Sequence, residues 1–540
     1  MNAAERTTLA VIEGFVKPRD YQAHGTVQAA YLICQALAQQ RRYEALHVYL
    51  DRYRTAASEL ALPSTLPAKS FDRTALRDST DEYAAIYVAN GDQMVSAPHV
   101  LRPPHDWTPV ICSVGTAHSN SQWLNLLVSR ASGALRESDG FIFKSRAAER
   151  LFRSTFADWN ERFASAMPFP SATTVIGNGV DVEANRRSED LRKRMRWLLR
   201  VRDDDVLFLA FGRLSPGTKG DQQALVMRWK DVLTRLPRAL LVLSGMVVDR
   251  TYVSDLRNLA AAAGVANRVR VVDNPFELAP NARTQLMSAA DVFVHLTTGI
   301  EETSSLVVHE AMAHALPVIT TSWAAMPEIV THGETGFLVA ARNAPLAPEI
   351  PATLFGQSDI GHGLAASKVV ALDWPAFMTA VTALGNRETR AAIGAAARGR
   401  AETHALPSIA AAYVRFFDAT SRAAESAWKG PTPTRPLVDL DAAISAQASG
   451  PLAAHELVRL GDTSRFALLA GGVTSEAAVW LDRVFLRFRA GQPVTLGELA
   501  ETIVNGPSTA GPTDPALARD YAVAGRFLVR LLNFGALELV

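Results

Sequence analysis

The chain has 540 residues, 48% of them hydrophobic and 20% charged, with a net charge of +1. That length calls for two or three domains, and the near-neutral balance gives no electrostatic case for a nucleic-acid or anionic-membrane partner. With only Cys34 and Cys112 no disulfide framework is implied and a cytoplasmic location fits; the charged N-terminus (Glu5, Arg6, Glu13, Lys17, Arg19, Asp20) is not a signal peptide, and no apolar run reaches the roughly 20 residues that span a bilayer.

In chain order, a first α/β region runs over residues 9–165. A strand at 8–14 leads to a helix over 26–40 and a strand at 45–50. A helical and loop stretch follows, then strands at 82–88, 110–114 and 140–144. Short strands alternating with helices predict βαβ units and a parallel sheet. A second series starts near residue 171, with strands at 206–212, 239–244, 269–272, 292–295 and 318–321. Helical patterns at 221–236, 252–263, 282–290 and 306–315 separate them. These strands are apolar on both faces, as parallel strands buried under helices should be. The reading is therefore two Rossmann-like, doubly wound domains facing a cleft at the carboxyl ends of their strands.

A Pro/Gly-rich stretch at 343–373 reads as a surface insertion, and helices run over 374–428. The closely spaced prolines of 429–436 make an extended linker. The expected domains are a Rossmann-like unit at 1–170, a second Rossmann-like unit at 171–406, a helical return at 407–428 toward the first, and a small, mainly helical accessory unit at 437–540.

The most informative stretch is 290–339, ADVFVHLTTGIEETSSLVVHEAMAHALPVITTSWAAMPEIVTHGETGFLV. A strand leads to a loop with Glu301 and Glu302. Ser304 and Ser305 are good N-cap residues for the helix that follows, and Pro317 lies beyond its end. A helix start offers free N–H groups and a positive dipole end to a phosphate, here around Ser305, Leu306 and Val307. Glu302 and Glu310 are separated by roughly 10 Å at the helical rise per residue. That is comparable to the span from a sugar across a diphosphate to a ribose. One carboxylate can accept from sugar hydroxyls and the other from the ribose diol. Alone, the same pattern also describes a capped helix with two surface glutamates.

A second segment, LFLAFGRLSPGTKGDQQAL at 207–225, ends a buried strand at Gly212. Arg213 and Lys219 then flank a Ser-Pro-Gly turn. Two cations at the carboxyl end of a parallel strand suit a diphosphate, although a solvated strand-end loop looks the same.

Together these segments resemble the family-4 retaining glycosyltransferases of the GT-B fold. The resemblance rests on Glu302-x7-Glu310, EAMAHALPVITT at 310–321, PEIVTHGETGFLV at 327–339, FGRLSPGTKG at 211–220 and VIGNGVD at 175–181. It covers roughly residues 8–428. It implies that Arg213 and Lys219 bind the donor phosphates, that Glu302 contacts the transferred sugar and that Glu310 holds the ribose. It also implies a histidine near the donor sugar, best matched by His118, and a glycine at the first strand–helix turn, matched by Gly25. Beside them, His24 is a rival and Asp92 reads as turn chemistry. The sequence departs from the family with Thr303-Ser304-Ser305 after the first glutamate and Ala324-Ala325 in place of a double glycine.

The expected function is sugar transfer from a nucleoside-diphosphate sugar, UDP or GDP, to an acceptor hydroxyl, with retention and without a metal or other cofactor. Epimerisation or hydrolysis on the same fold, or an inactive sugar-nucleotide-binding scaffold, are the alternatives. In the tail, Thr495-x-x-Glu498 is a capping box opening a helix at 496–504. A longer helix follows to about residue 533, with the apolar stripe Val523, Phe527 and Leu531, and a short strand over 536–540. The pattern suggests a small winged-helix-like unit. Residues 431–540 carry nine Arg against eleven Asp plus Glu. That balance favours a protein or peptide partner, or a homodimer, over DNA.

Overall fold

The computed structural model describes residues 4–12, 25–40, 42–50, 68–71, 83–89, 102, 106–114, 135–162, 172–216, 222–273, 275, 281–299, 302–344, 370–430, 457–460, 494–495, 498–499 and 537–539. Two compact units divide the chain. One comprises Met1–Arg73 with Ser79–Arg435, and the other Thr74–Asp78 with Pro436–Val540.

The first unit holds two parallel sheets. The first contains β1 (Thr8–Ile12), β2 (Glu44–Leu50), β3 (Ala68–Phe71), β4 (Ala85–Val88), β5 (Val110–Val114), β6 (Gly140–Phe143) and β7 (Ala172–Val175). Their order is β3-β2-β1-β4-β5-β6-β7, all pairs parallel. The order reverses between β1 and β4, so a crevice opens there at the strands' carboxyl ends. Helix α1 (Gly25–Gln39) follows β1, and α2 (Arg146–Arg162) follows β6. Strands β4, β5 and β6 are buried along their whole length, which is why they read as unbroken apolar runs.

Two readings of this region change. The stretch between β2 and β4 carries a strand, β3, where helix and loop were expected. Residues near 171 do not open the second series, because β7 pairs with β6 from Gly140↔Ala172 to Phe143↔Val175. Strand β7 is half-buried throughout. Its sequence ATTV accordingly lacks the apolar run that marks the central strands.

The second sheet contains β8 (Val206–Phe211), β9 (Ala239–Gly245), β10 (Val269–Asp273), β11 (Val292–His295), β12 (Val318–Ser322), β13 (Gly336–Asn343) and β14 (Val370–Leu372). Its order is β10-β9-β8-β11-β12-β13-β14, parallel except for the last pair. Its helices are α3 (Glu189–Leu198), α4 (Gln222–Arg235), α5 (Arg250–Ala262), α6 (Ala282–Ala289), α7 (Leu306–Ala313), α8 (Met326–Ile329), α9 (Trp374–Ala383) and α10 (Arg387–Glu402). Alternate residues of β8 enter different cores. Leu207 and Leu209 join Phe293, Val308 and Met312, whereas Val206 and Phe208 join Val292, Val294, Trp229 and Leu256. Each such side chain contributes about 1.5–3 kcal/mol on full burial. The stretch read as an insertion begins and ends in paired strand, since Asn343 of β13 faces Val370 of β14; residues 345–369 lie outside the described residues.

The last helix of this unit, α11 (Leu406–Ala427), packs on the first sheet. Tyr413 and Phe417 share a core with Leu9, Val11, Tyr87 and Ile142, and Ser421 Oγ donates to the Ala84 carbonyl at 2.7 Å. The two chain crossings between the sheets are bonded to each other. Val180 N–H donates to His404 O at 3.0 Å, and Leu406 N–H to Val180 O at 3.1 Å. A Cβ at Gly179 would stand 2.8 Å from Leu406 Cδ2, so a larger residue there would have to displace that side chain.

In the second unit, the described residues form an antiparallel sheet of β15 (Leu457–Leu460), β16 (Val494–Thr495) and β17 (Leu537–Leu539), in the order β16-β15-β17. The capping box is formed. Thr495 N–H donates to Glu498 Oε2 at 2.9 Å, and Glu498 N–H donates to Thr495 Oγ1 at 3.2 Å. The longer helix and its stripe Val523, Phe527 and Leu531 lie outside the described residues. Among the described residues no helix is long and apolar enough to cross a membrane.

Candidate functional site

The site is built at the carboxyl end of β8 and β11, where the second sheet reverses its order. At the tip of β8, Gly212 N–H donates to Ser244 O at 3.0 Å and Leu214 N–H to Met246 O at 2.8 Å. The backbones meet because the neighbour is glycine. Gly245 has φ +149°, and a Cβ on it would fall 1.7 Å from the Gly212 carbonyl oxygen. Arg213 follows, half-buried, and no carboxylate among the described residues pairs with it. Its carbonyl accepts from Gln222 Nε2 at 3.3 Å, and Gln222 Oε1 accepts from Tyr252 O–H at 2.7 Å. The turn carrying the cation is thereby tied to α4 and α5. Lys219 and His118 lie outside the described residues.

The loop after β11 is pinned from the neighbouring strand. Thr320 Oγ1 donates to His295 O at 2.7 Å, Thr321 Oγ1 to Thr297 O at 2.6 Å, and Trp323 Nε1 to Gly299 O at 3.0 Å. Glu302 is 3% exposed, and its Oε2 lies 3.2 Å from His295 Nε2. The same ring nitrogen is 3.2 Å from Ser305 Oγ. Ser305 is the N-cap of α7 by position, yet its side chain makes no capping hydrogen bond. This departs from the capping expected of it, because the hydroxyl is turned to His295 instead. The N–H groups of Leu306 and Val307 have no backbone acceptor among the described residues, which leaves the positive end of the helix open to an anion. Ser304 offers its carbonyl to Asn178 Nδ2 at 2.9 Å. That bond links the VIGNGVD segment to this loop.

Helix α7 ends earlier than its apolar pattern suggests. Ala315 has φ +57°, a left-handed residue that stops the helix at Ala313. The close pass of α10 requires Gly394, whose Cβ would be 2.2 Å from the Ala315 carbonyl oxygen. Ala324 also has a positive φ, +50°. The position where a glycine is expected keeps the glycine conformation with an alanine in it.

Glu310 sits on α7 at 1% exposure. Its Oε1 accepts from Gln28 Nε2 at 3.2 Å and pairs with Arg283 Nη2 at 3.0 Å. Arg283 Nη1 in turn donates to Gln28 Oε1 at 2.8 Å. The other carboxylate oxygen, Oε2, is buried with no hydrogen-bond partner among the described residues. Burial pushes the Glu310 carboxyl above its usual value, against the opposing effects of Arg283 and of the Gln28 hydrogen bond. Two histidines flank it, His309 on the same helix and His314 just past its end, and both are held neutral. Burial lowers His309 to about 3, with His404 and Arg400 adding to the effect. Burial lowers His314 to about 4, and Arg283, Arg187 and Arg398 act in the same direction.

Gly212, Arg213, Glu302, Ser304, Ser305, Leu306, Val307 and Glu310 thus lie on two neighbouring strand-to-helix connections of one sheet, β8 to α4 and β11 to α7. Gly25 opens α1 of the first sheet, one turn before Gln28. His295, Asn178, Arg283 and Gln28 were not read from sequence as site residues. A histidine at a strand tip and an asparagine inside a quoted motif were signals available for two of them. Nothing local marked Gln28 or Arg283.

The fold resembles solved glycosyltransferases. Anabaena HepE in complex with UDP and glucose matches at TM-score 0.53 and 20% identity, covering 76% of this chain and 99% of that one. A Rickettsia africae glycosyltransferase matches at TM-score 0.50 and 11% identity, covering 77% and 99%. With the two doubly wound sheets, these likenesses define the fold as GT-B. In sequence, residues 205–350 match the family model described as Glycosyl transferases group 1. The chain is also similar to the Bacillus subtilis (strain 168) protein YtcC, a glycosyltransferase by name, at 32% identity over 190 residues. That match spans 33% of this chain and 44% of YtcC, so the chain covers less than half the length of that curated relative.

Proposed function

We propose that the chain is a retaining glycosyltransferase that moves a sugar from a nucleoside-diphosphate sugar, UDP- or GDP-linked, to an acceptor hydroxyl. The observation that carries this reading is the Glu310 carboxylate, fully buried with one oxygen held by a hydrogen bond from Gln28 and an ion pair with Arg283 and the other left without a partner among the described residues. A buried acceptor without a donor costs about 1–3 kcal/mol. A ribose diol brings two O–H donors and removes that cost. About one turn earlier on the same helix, the N–H groups of Leu306 and Val307 suit the diphosphate, with Arg213 and Lys219 supplying positive charge.

In the reaction the bond between the anomeric carbon and the diphosphate oxygen breaks, and its electron pair leaves with the diphosphate. The growing charge is stabilised by Arg213, Lys219 and the start of α7, placed before the reaction begins. The acceptor oxygen attacks the oxocarbenium-like carbon from the face the diphosphate is leaving. Its proton passes to a departing phosphate oxygen, which yields retention without a carboxylate nucleophile. Glu302 holds the transferred sugar and His118 lies beside it. No residue is needed as a metal ligand in this scheme. The tail is a winged-helix-like unit for a protein or peptide partner.

The test is turnover of the Lys219→Ala and Arg213→Ala variants with a UDP- or GDP-sugar. Each is expected to lose at least two orders of magnitude in kcat, as for other removed charge-stabilising groups. Turnover near wild type refutes the phosphate assignment. Nucleoside diphosphate released at the same rate with and without acceptor favours hydrolysis over transfer.

A further inference from the structure

The Glu310 carboxylate belongs to the second sheet's α7, but one of the two groups that fix it comes from the first sheet. Gln28 lies in the opening turn of α1 and is 7% exposed. Its partner Glu310 is 282 positions away in sequence, and Arg283 is 255 away. The three form a closed polar ring of two hydrogen bonds and one ion pair. Arg283 Nη1 donates to Gln28 Oε1, Gln28 Nε2 donates to Glu310 Oε1, and Arg283 Nη2 is paired with the same Glu310 oxygen at 3.0 Å.

The chemistry of this ring restricts position 28. The residue must accept from a guanidinium and donate to a carboxylate through one short planar group. A carboxamide does both. A carboxylate cannot donate, an ammonium cannot accept, and an apolar side chain does neither. The partners also fix the amide's orientation, because turning it over would set its oxygen against the carboxylate and its NH2 against the guanidinium. With the Gln28 amide and the Arg283 guanidinium both directed at Oε1, Oε2 is left buried and without a hydrogen-bond partner among the described residues.

We infer that Gln28 is a positioning residue for donor recognition. From the first domain it orients the Glu310 carboxylate so that the free oxygen meets the ribose hydroxyls, and donor affinity therefore depends on α1 standing against α7. This rests on the ribose reading of Glu310 given above.

The test compares UDP with 2′,3′-dideoxy-UDP, which keeps the base and diphosphate but lacks the diol. Binding of both is measured by calorimetry on the full-length wild type, on Gln28→Met, which keeps the length without the hydrogen bonds, and on Gln28→Leu, which removes the same bonds with a shorter, branched side chain. Wild type is expected to prefer UDP at least tenfold. Both variants should reduce that preference to within about twofold while binding the dideoxy analogue as wild type does. Equal weakening of both nucleotides indicates a merely structural role, and an unchanged preference indicates none; either overturns the inference for Gln28 alone. A wild type indifferent to the missing hydroxyls overturns the ribose reading beneath it. If one variant does not fold, the other still decides between these outcomes.

Discussion

Replacing Glu310 with Gln isolates the charge on which donor binding is proposed to depend. The side chain keeps its shape, and its amide oxygen can still accept from Arg283 and Gln28. What changes is the second position, where an unpartnered carboxylate oxygen becomes an NH2 group. A ribose hydroxyl that donated to the carboxylate then faces a donor. A hydrogen bond to a charged group contributes about 1.5–3 kcal/mol, so loss of one raises Kd by roughly one to two orders of magnitude. The sign of the pH dependence follows from burial. The Glu310 carboxyl is raised above its usual value, and the diol needs the ionised form. Wild-type affinity should therefore fall on acidification more steeply than the variant's, beginning at a higher pH than for an ordinary carboxylate, while the slope left in the variant reports the titration of the UDP terminal phosphate at about pH 6. Calorimetric titration with UDP between pH 5 and 8 reads both effects, after a melting curve has established that the variant is folded. Equal affinities at neutral pH, or the same slope in both proteins, refute the reasoning.

Two further perturbations address the fold around the site. His309 and His314 are held neutral, lowered to about 3 and about 4 by burial. In the unfolded chain they bind protons first on acidification, so the stability they confer is present above about pH 6.5 and lost as pH falls toward their folded values. From pH 7 to 5 the two together remove up to about 4 kcal/mol, offset in part by Glu310, whose raised value acts in the opposite direction. Chemical denaturation of wild type and of His309→Asn should show a shallower loss in the variant; parallel curves contradict the assignment. The left-handed positions should respond to glycine in opposite ways. Ala324→Gly relieves a positive φ and should raise stability by about 1 kcal/mol, whereas Gly245→Ala drives a Cβ against the Gly212 carbonyl and should cost about 3 kcal/mol or more. Thermal melts of the two variants that move in the same direction reject this account of the backbone.

Most of what positions the site was legible in the sequence because it is local. Buried strands such as β8 announce themselves as apolar runs, since alternate residues fill cores on both faces. The capping box at Thr495 and the short strand at β17 were likewise legible from spacing and chain-end pattern. Short strands at sheet margins were not. β3 has four residues, and β7 is only half-buried, so neither needs a long apolar run. β14 is three residues long and is recognised only through its antiparallel partner β13. In the site, the glutamate pair was visible as a spacing across one loop-to-helix connection. The groups that orient it were not, because Gln28 and Arg283 reach Glu310 through the tertiary fold and carry no local signature. Ser305 illustrates a different limit. Its residue type fits an N-cap, yet a buried histidine from β11 takes its hydroxyl, a competition that only the packed structure displays.

A crystal structure of the chain with bound UDP tests the account most directly. The ribose diol is expected within hydrogen-bonding distance of Glu310 Oε2, the β-phosphate on the N–H groups of Leu306 and Val307, and Arg213 and Lys219 directed at phosphate oxygens. UDP bound elsewhere, or bound here with its ribose turned away from Glu310, would contradict it.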